Sequence, residues 1–228
     1  MKLWVLLLAF FSIAVYADKD DLNTLQKQQD DWYIVKQDNT RNIITYAKNE
    51  EGKKIRSFKI EATVDASLAT LASIHFDIAN IKKWYWETLE SKLLSKNSET
   101  EYVYYMQFRA PLIADRDVVL KANIEPFQEL VHPYMLLKLR AIPSTLAVPT
   151  NLVRMSAFDV DIKFMPLVNG KTKIEAQGYI DPSGTVPSWV FNTVQQQAPY
   201  LTMLGLYRMS QKVEYANIKT PLAFIYMR

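Results

Sequence analysis

The chain has 228 residues, 49% apolar and 22% charged, which suits one domain with a sizeable core, and nothing marks a second. Its formal net charge of +3 excludes the strongly basic balance of a nucleic-acid binder, so no nucleic-acid or polyphosphate partner is expected. Cysteine is absent, which excludes disulfides, thiolate nucleophiles and thiolate metal sites.

Met1 to Ala17 carries one basic residue, Lys2, then an apolar stretch from Leu3 to Val15, and the small Ala17 before a polar segment. This is the pattern of a secretory signal peptide over residues 1–17. The apolar stretch is shorter than the roughly 18 residues of a spanning helix; an uncleaved N-terminal anchor is the alternative reading. Residues 18–228 then form the single domain. An exported chain without disulfides is expected in a bacterial periplasm or otherwise secreted.

Asp18 to Asp31 is polar, with Leu22 and Leu25 three apart, and predicts a short surface helix. From Trp32 the apolar period changes to two. Trp32–Lys36, Arg41–Tyr46 and Ile55–Val64 are separated by Asp38-Asn39-Thr40 and Asn49-Glu50-Glu51-Gly52, which predicts a three-stranded antiparallel meander. Asp65 or Ser67 caps a helix whose apolar positions run from Leu68 through Leu71, Ala72 and Phe76 to Ile81, ending near Lys82. Trp84, Tyr85 and Trp86 connect, and Leu89 to Leu94 reads as a further turn of helix.

Strand patterns follow at Glu101–Arg109, Arg116–Ile124, Pro133–Ile142 and Val153–Pro166, and Lys171–Ile180 pairs back across Asn169-Gly170. Pro143 to Thr150 holds Leu146 and Val148 between prolines, and reads either as a linker on the sheet's rim or as a functional loop. A Pro- and Gly-rich turn from Asp181 then leads through Pro187 into a long helix with Val190, Val194, Ala198, Leu201 and Gly205 on one face. Pro199 inside it reads either as a hinge or as a kink that follows the sheet. The fold class is α+β, a curved antiparallel sheet of about eight to nine strands wrapped on a long C-terminal helix.

On Arg116–Ile124 the buried set is Arg116, Val118, Leu120, Ala122 and Ile124, with Asp117 and Val119 on the other face. On Lys171–Ile180 it is Ile174, Ala176, Gly178 and Ile180, and on the third strand Phe58, Ile60, Ala62 and Val64. Small residues there, facing small residues of the last helix, predict a cavity. Arg116 on a buried face must find a carboxylate, backbone carbonyls or a ligand head group.

Catalytic chemistry is not expected. His75 reads as a half-buried helix residue, His132 precedes a proline at a strand start, and no donor set has metal-ligand spacing, so neither metal nor cofactor is expected. Asp159 and Asp161 alternate opposite Phe158, Val160, Ile162 and Phe164, which turns both to solvent and away from paired acid–base work.

Two segments resemble a known family. Pro111-Leu112-Ile113-Ala114-Asp115-Arg116-Asp117-Val118-Val119 is similar to the proline and Arg-Asp-aromatic-Val strand start of the START family of lipid-transfer domains, with Val118 where an aromatic is usual. Asp181-Pro182-Ser183-Gly184-Thr185-Val186-Pro187-Ser188-Trp189-Val190-Phe191-Asn192 resembles the start of that family's lid helix, including the Trp of phospholipid-binding members. The resemblance covers Trp32 to Met209. It implies the helix-grip (START/Bet v 1-like) fold, with a hydrophobic tunnel between sheet and lid helix that shields one lipid from water.

Register and resemblance together place Arg116, Tyr105, Gln107, Val118, Leu120, Ala122, Ala176, Gly178, Trp189, Val190, Val194 and Leu201 on the tunnel wall, and Leu146, Val148, Pro187 and Pro199 at its gate. Sterol carriers of the family set a second arginine and a glutamate where Ala122 and Val103 stand, so that anchor is missing. The strand before Arg116 offers Tyr102, Tyr104, Tyr105, Gln107 and Phe108, which either cage a choline-like cation or reflect β propensity alone. The function expected is binding or transfer of a phospholipid, fatty acid or sterol-like lipid by a monomer, with transient membrane contact. The alternative is an enzyme of the wider helix-grip superfamily, a cyclase or hydrolase acting on a hydrophobic substrate.

Overall fold

The structure, a computed structural model, describes residues 32–110, 113–144, 146–216 and 218. The expected signal peptide and the helix expected before Trp32 lie outside them.

The predicted meander opens the fold as β1 (Tyr33–Asp38), β2 (Ile43–Lys48) and β3 (Ser57–Val64). Asp38 makes the first turn: its carboxylate accepts from the Arg41 backbone N–H at 3.1 Å and from the Arg41 guanidinium at 2.9 Å. Helix α1 (Leu68–Phe76) starts at Ser67, whose hydroxyl accepts from the Thr70 N–H at 3.1 Å. It is shorter than its apolar periodicity suggests. Asp77 leaves helical geometry and its side chain accepts from Asn80 Nδ2 at 2.8 Å and from the Tyr215 hydroxyl at 2.7 Å, so a local side-chain acceptor displaces the helical ladder. The chain continues as a 3-10 helix over Ile78–Lys83.

Leu89–Leu94 is not helical. It lies in strand β4 (Thr88–Lys96), at the edge of the sheet against β5 (Glu101–Phe108), with Leu93 and Leu94 exposed. An edge strand with little buried face carries no clean period of two, and its spacing of Leu89 and Leu93 imitates a helix. Then come β6 (Asp115–Glu125) and β7 (Met135–Ala141). The single strand expected over Val153–Pro166 is two, β8 (Leu152–Arg154) and β9 (Ala157–Pro166). Between them the backbone changes partners: the Met155 N–H donates to Asp117 O at 2.9 Å and the Ser156 N–H to Asp181 O at 3.2 Å. Strand β10 (Thr172–Asp181) follows the Asn169-Gly170 turn, where Gly170 has φ 76°.

The sheet runs β1-β2-β3-β10-β9-β7-β6-β5-β4, all antiparallel, and the short β8 adds parallel to β6 at its start. The chain thus closes β10 against β3, at Ala176 opposite Ile60, and curls the sheet around helix α2 (Ser188–Ser210). A last turn, α3 (Val213–Ala216), packs beside α1. The inner face carries Tyr104, Met106, Leu120, Leu137, Phe164 and Ile174, each 3% exposed or less. On β6 the outer face is covered as well: Asp117 and Val119, expected in solvent, are buried beneath β8 and the connection after β7.

Candidate functional site

A cavity of about 190 Å³ lies between the sheet's inner face and the stretch of α2 from Val190 to Thr202. Its sheet wall is Phe58, Ile60, Phe108, Phe158 and Ile180. Its helix wall is Val190, Phe191, Val194, Ala198, Pro199 and Thr202, side chains that steps of four residues bring to one side of a helix. Connections close the remaining sides with Tyr85, Trp86, Ile113, Met155, Pro182 and Val186. The surfaces are overwhelmingly apolar, so what enters is driven by release of water from apolar area, worth about 25 cal/mol per Å².

Beyond Tyr85 the groove is filled by rings. His75 packs edge-on against Trp84 and Phe164, with centroids 4.9 and 5.0 Å away. Gly205 is there because α2 touches the Trp84 backbone: a Cβ would stand 2.0 Å from the Trp84 carbonyl oxygen. The cavity therefore occupies the end of the groove towards Pro182 and Arg116. Tyr85, half-buried on its wall, has its phenol pushed above the ordinary range by desolvation.

Arg116 is 3% exposed and lines the cavity. Its guanidinium donates to three backbone carbonyls: Pro182 and Ser183, each at 3.2 Å, and Ala114. These bonds hold the turn that starts α2, where Ser183 and Gly184 take left-handed φ of 57° and 70° and Asp181 Oδ1 accepts from the Ser183 N–H at 2.8 Å. Of the three partners open to Arg116 in the sequence, backbone carbonyls are the ones present. Burial lowers the guanidinium's pKa, and Asp115 acts in the opposite direction.

Of the wall and gate residues expected, Arg116, Val190, Val194 and Pro199 line the cavity. Val118, Leu120, Ala122 and Ala176 lie in the core beside it, and Leu201 packs half-buried against that core. Gly178 permits close passage of β10 over β9, where a Cβ would meet Asp159 O at 2.4 Å. Tyr105 and Gln107 alternate with buried Tyr104, Met106 and Phe108, so the register of β5 turns both to the outer face, in place of the inward position expected. Burial and Asp117, in that order, push the Tyr105 phenol up to about 12. Leu146 and Val148 are 43% and 42% exposed outside the lining, and Pro187 is the N-cap of α2. The side chain of Trp189 lies outside the described residues.

Sequence reasoning missed Tyr85, Trp86, Ile113 and Met155. Their signal was present at Trp84-Tyr85-Trp86, three aromatic residues in a connection where polar residues are usual. The tie made by the Gln195 side chain was missed too: its Nε2 donates to Arg56 O at 3.3 Å and joins α2 to the approach to β3.

The sequence profile of the START domain matches residues 12–203. An uncharacterized protein of Pseudomonas aeruginosa is 24% identical over 183 residues, 80% of this chain and 88% of its own length. Among solved structures, the STAR-related lipid transfer protein of Xanthomonas axonopodis (fragment 25–204) superposes with a TM-score of 0.71 and 24% identity, over 80% of this chain and 100% of that one. Human STARD10 superposes with a TM-score of 0.69 and 19% identity, over 86% of this chain and 81% of its own. These likenesses show the helix-grip fold, and the profile, which spans most of the length, shows the lineage: the chain belongs to the START domain family.

Proposed function

We propose that the chain binds and carries lipid by enclosing one hydrophobic ligand between the sheet and α2. The observation that carries this reading is the cavity itself, bounded by Phe58, Phe108, Phe158, Val190 and Val194 in a START-family chain. Its structural relatives include proteins named as lipid transfer proteins. Catalysis would call for an inward acid or base. Glu87, the carboxylate on the wall, has its Oε2 4.0 Å from Arg109 Nε at the mouth, and His75 is buried among aromatic rings away from the lining. Both placements favour carriage over a cyclase or hydrolase.

The N-terminal pattern at 1–17 supports export, with the lipid exchanged at a membrane surface by a monomer. Mass spectrometry of lipid extracted from natively purified protein tests the central reading. One lipid class is expected at about one molecule per chain, and protein that carries no lipid and takes up none overturns it.

A further inference from the structure

We propose that the ligand is a single-chain anionic amphiphile, a long-chain carboxylate, whose head lies against Arg116; this rests on the lipid-binding reading above and narrows it.

A cation with 3% of its surface exposed requires compensation, and all three of Arg116's protein bonds go to neutral carbonyl oxygens. Asp115, its neighbour in sequence, acts on it through space without a hydrogen bond to it, its Oδ1 accepting from the Ala110 N–H at 2.9 Å, and among the described residues no carboxylate forms an ion pair with Arg116. A guanidinium has five N–H donors, so two remain beyond those three bonds. The Arg116 side chain lines an apolar cavity. An anionic head placed there gains charge-assisted hydrogen bonds in a medium of low polarity, where such bonds are strongest.

The balance of charge in the lining is positive. Among the described residues that line the cavity, Arg56, Arg109 and Arg116 outnumber one carboxylate, Glu87, which Arg109 already engages, and Arg56 Nη1 donates to the Tyr33 hydroxyl at 2.6 Å. The cation of a zwitterionic head would lie among these arginines, and the carboxylate of the lining that could offset it, Glu87, is already engaged by Arg109. The shape of the groove selects one chain. The groove beyond Tyr85, where a second chain would run, is occupied by Trp84, His75 and Phe164.

The test titrates the purified protein with oleate, oleyl alcohol and methyl oleate, and offers it dioleoylphosphatidylglycerol vesicles as a two-chain anionic source. Oleate is expected to bind at least about tenfold tighter than its ester, the ratio that one charge-assisted interaction supplies. Arg116→Gln is expected to bring that ratio near one while ester binding persists, and Arg116→Lys to keep most of it. Because Arg116 also braces the turn before α2, the wild-type comparison of acid with ester stands without any variant. Equal binding of acid, alcohol and ester overturns the anionic head and leaves lipid binding intact. Preferential extraction of phosphatidylglycerol overturns the single chain, and binding of none of the four overturns both this proposal and the reading beneath it.

Discussion

Arg154 and Asp117 form a bidentate ion pair, Nε to Oδ1 and Nη2 to Oδ2 both at 2.8 Å, and the Asp117 side chain has 0% of its surface exposed. The pair fastens β8 to the outer face of β6, one residue from Arg116, so the wall that carries the cavity's cation is clamped from behind. Arg154→Ala would strand a buried carboxylate and is expected to destabilise the fold by about 3 kcal/mol. Arg140→Ala breaks a partly exposed pair with Asp161 and should lose about 1 kcal/mol or less. Urea unfolding of both variants checks this; equal small losses would mean that water replaces Arg154 without penalty.

Gly205 sets how closely α2 approaches the Trp84 connection. A methyl group there meets backbone, not a flexible side chain, so the helix itself must shift. Gly205→Ala is expected to lose about 1–3 kcal/mol by overpacking and to alter the environment of Trp84. Thermal unfolding with tryptophan fluorescence measures both. An unchanged midpoint would show that α2 has slack at this crossing.

The elements that were legible in the sequence are those whose pattern depends on a buried face. The β1–β3 meander, the Asn169-Gly170 hairpin, the Ser67 cap and the long helix with Pro199 inside it all carry such local signals. Edge strand β4 buries little and left no alternation to read, and the break at Met155 depends on partners distant in sequence, Asp117 and Asp181. The site divides in the same way. Val190, Val194 and Arg116 follow from periodicity, whereas Tyr85, Trp86 and Ile113 arrive from connections, where no period exists to extrapolate.

His75 makes stability depend on acidity. Its ring is buried against Trp84 and Phe164, Nδ1 donates to Leu71 O at 3.0 Å, and desolvation lowers its pKa from 6.5 to about 4. Between those values the unfolded chain binds a proton at His75 that the folded chain refuses. Stability from this group is thus complete above about pH 6.5 and is lost as pH falls towards 4. At about 1.4 kcal/mol for each pH unit in that window, the loss amounts to about 3 kcal/mol. His75→Phe should flatten the pH dependence of urea midpoints across this range; an unaltered slope would assign the acid sensitivity to other groups.

Ala198 offers the most direct separation of cavity from core. It lies on the cavity-facing side of α2, four residues from Val194 and one from Pro199, and its methyl leaves the space between helix and sheet open. Ala198→Trp places an indole there, and an indole takes up much of a cavity of about 190 Å³. Filling an existing void adds contacts without burying a polar group, so the folded state should hold or gain about 1 kcal/mol. Lipid recovered from the purified variant should fall to background, because the same volume cannot hold both ring and chain. A variant that is at least as stable as the parent and has lost its lipid would separate the cavity's role from that of the core around it. Retention of the parent's full lipid load would place the ligand elsewhere on the protein.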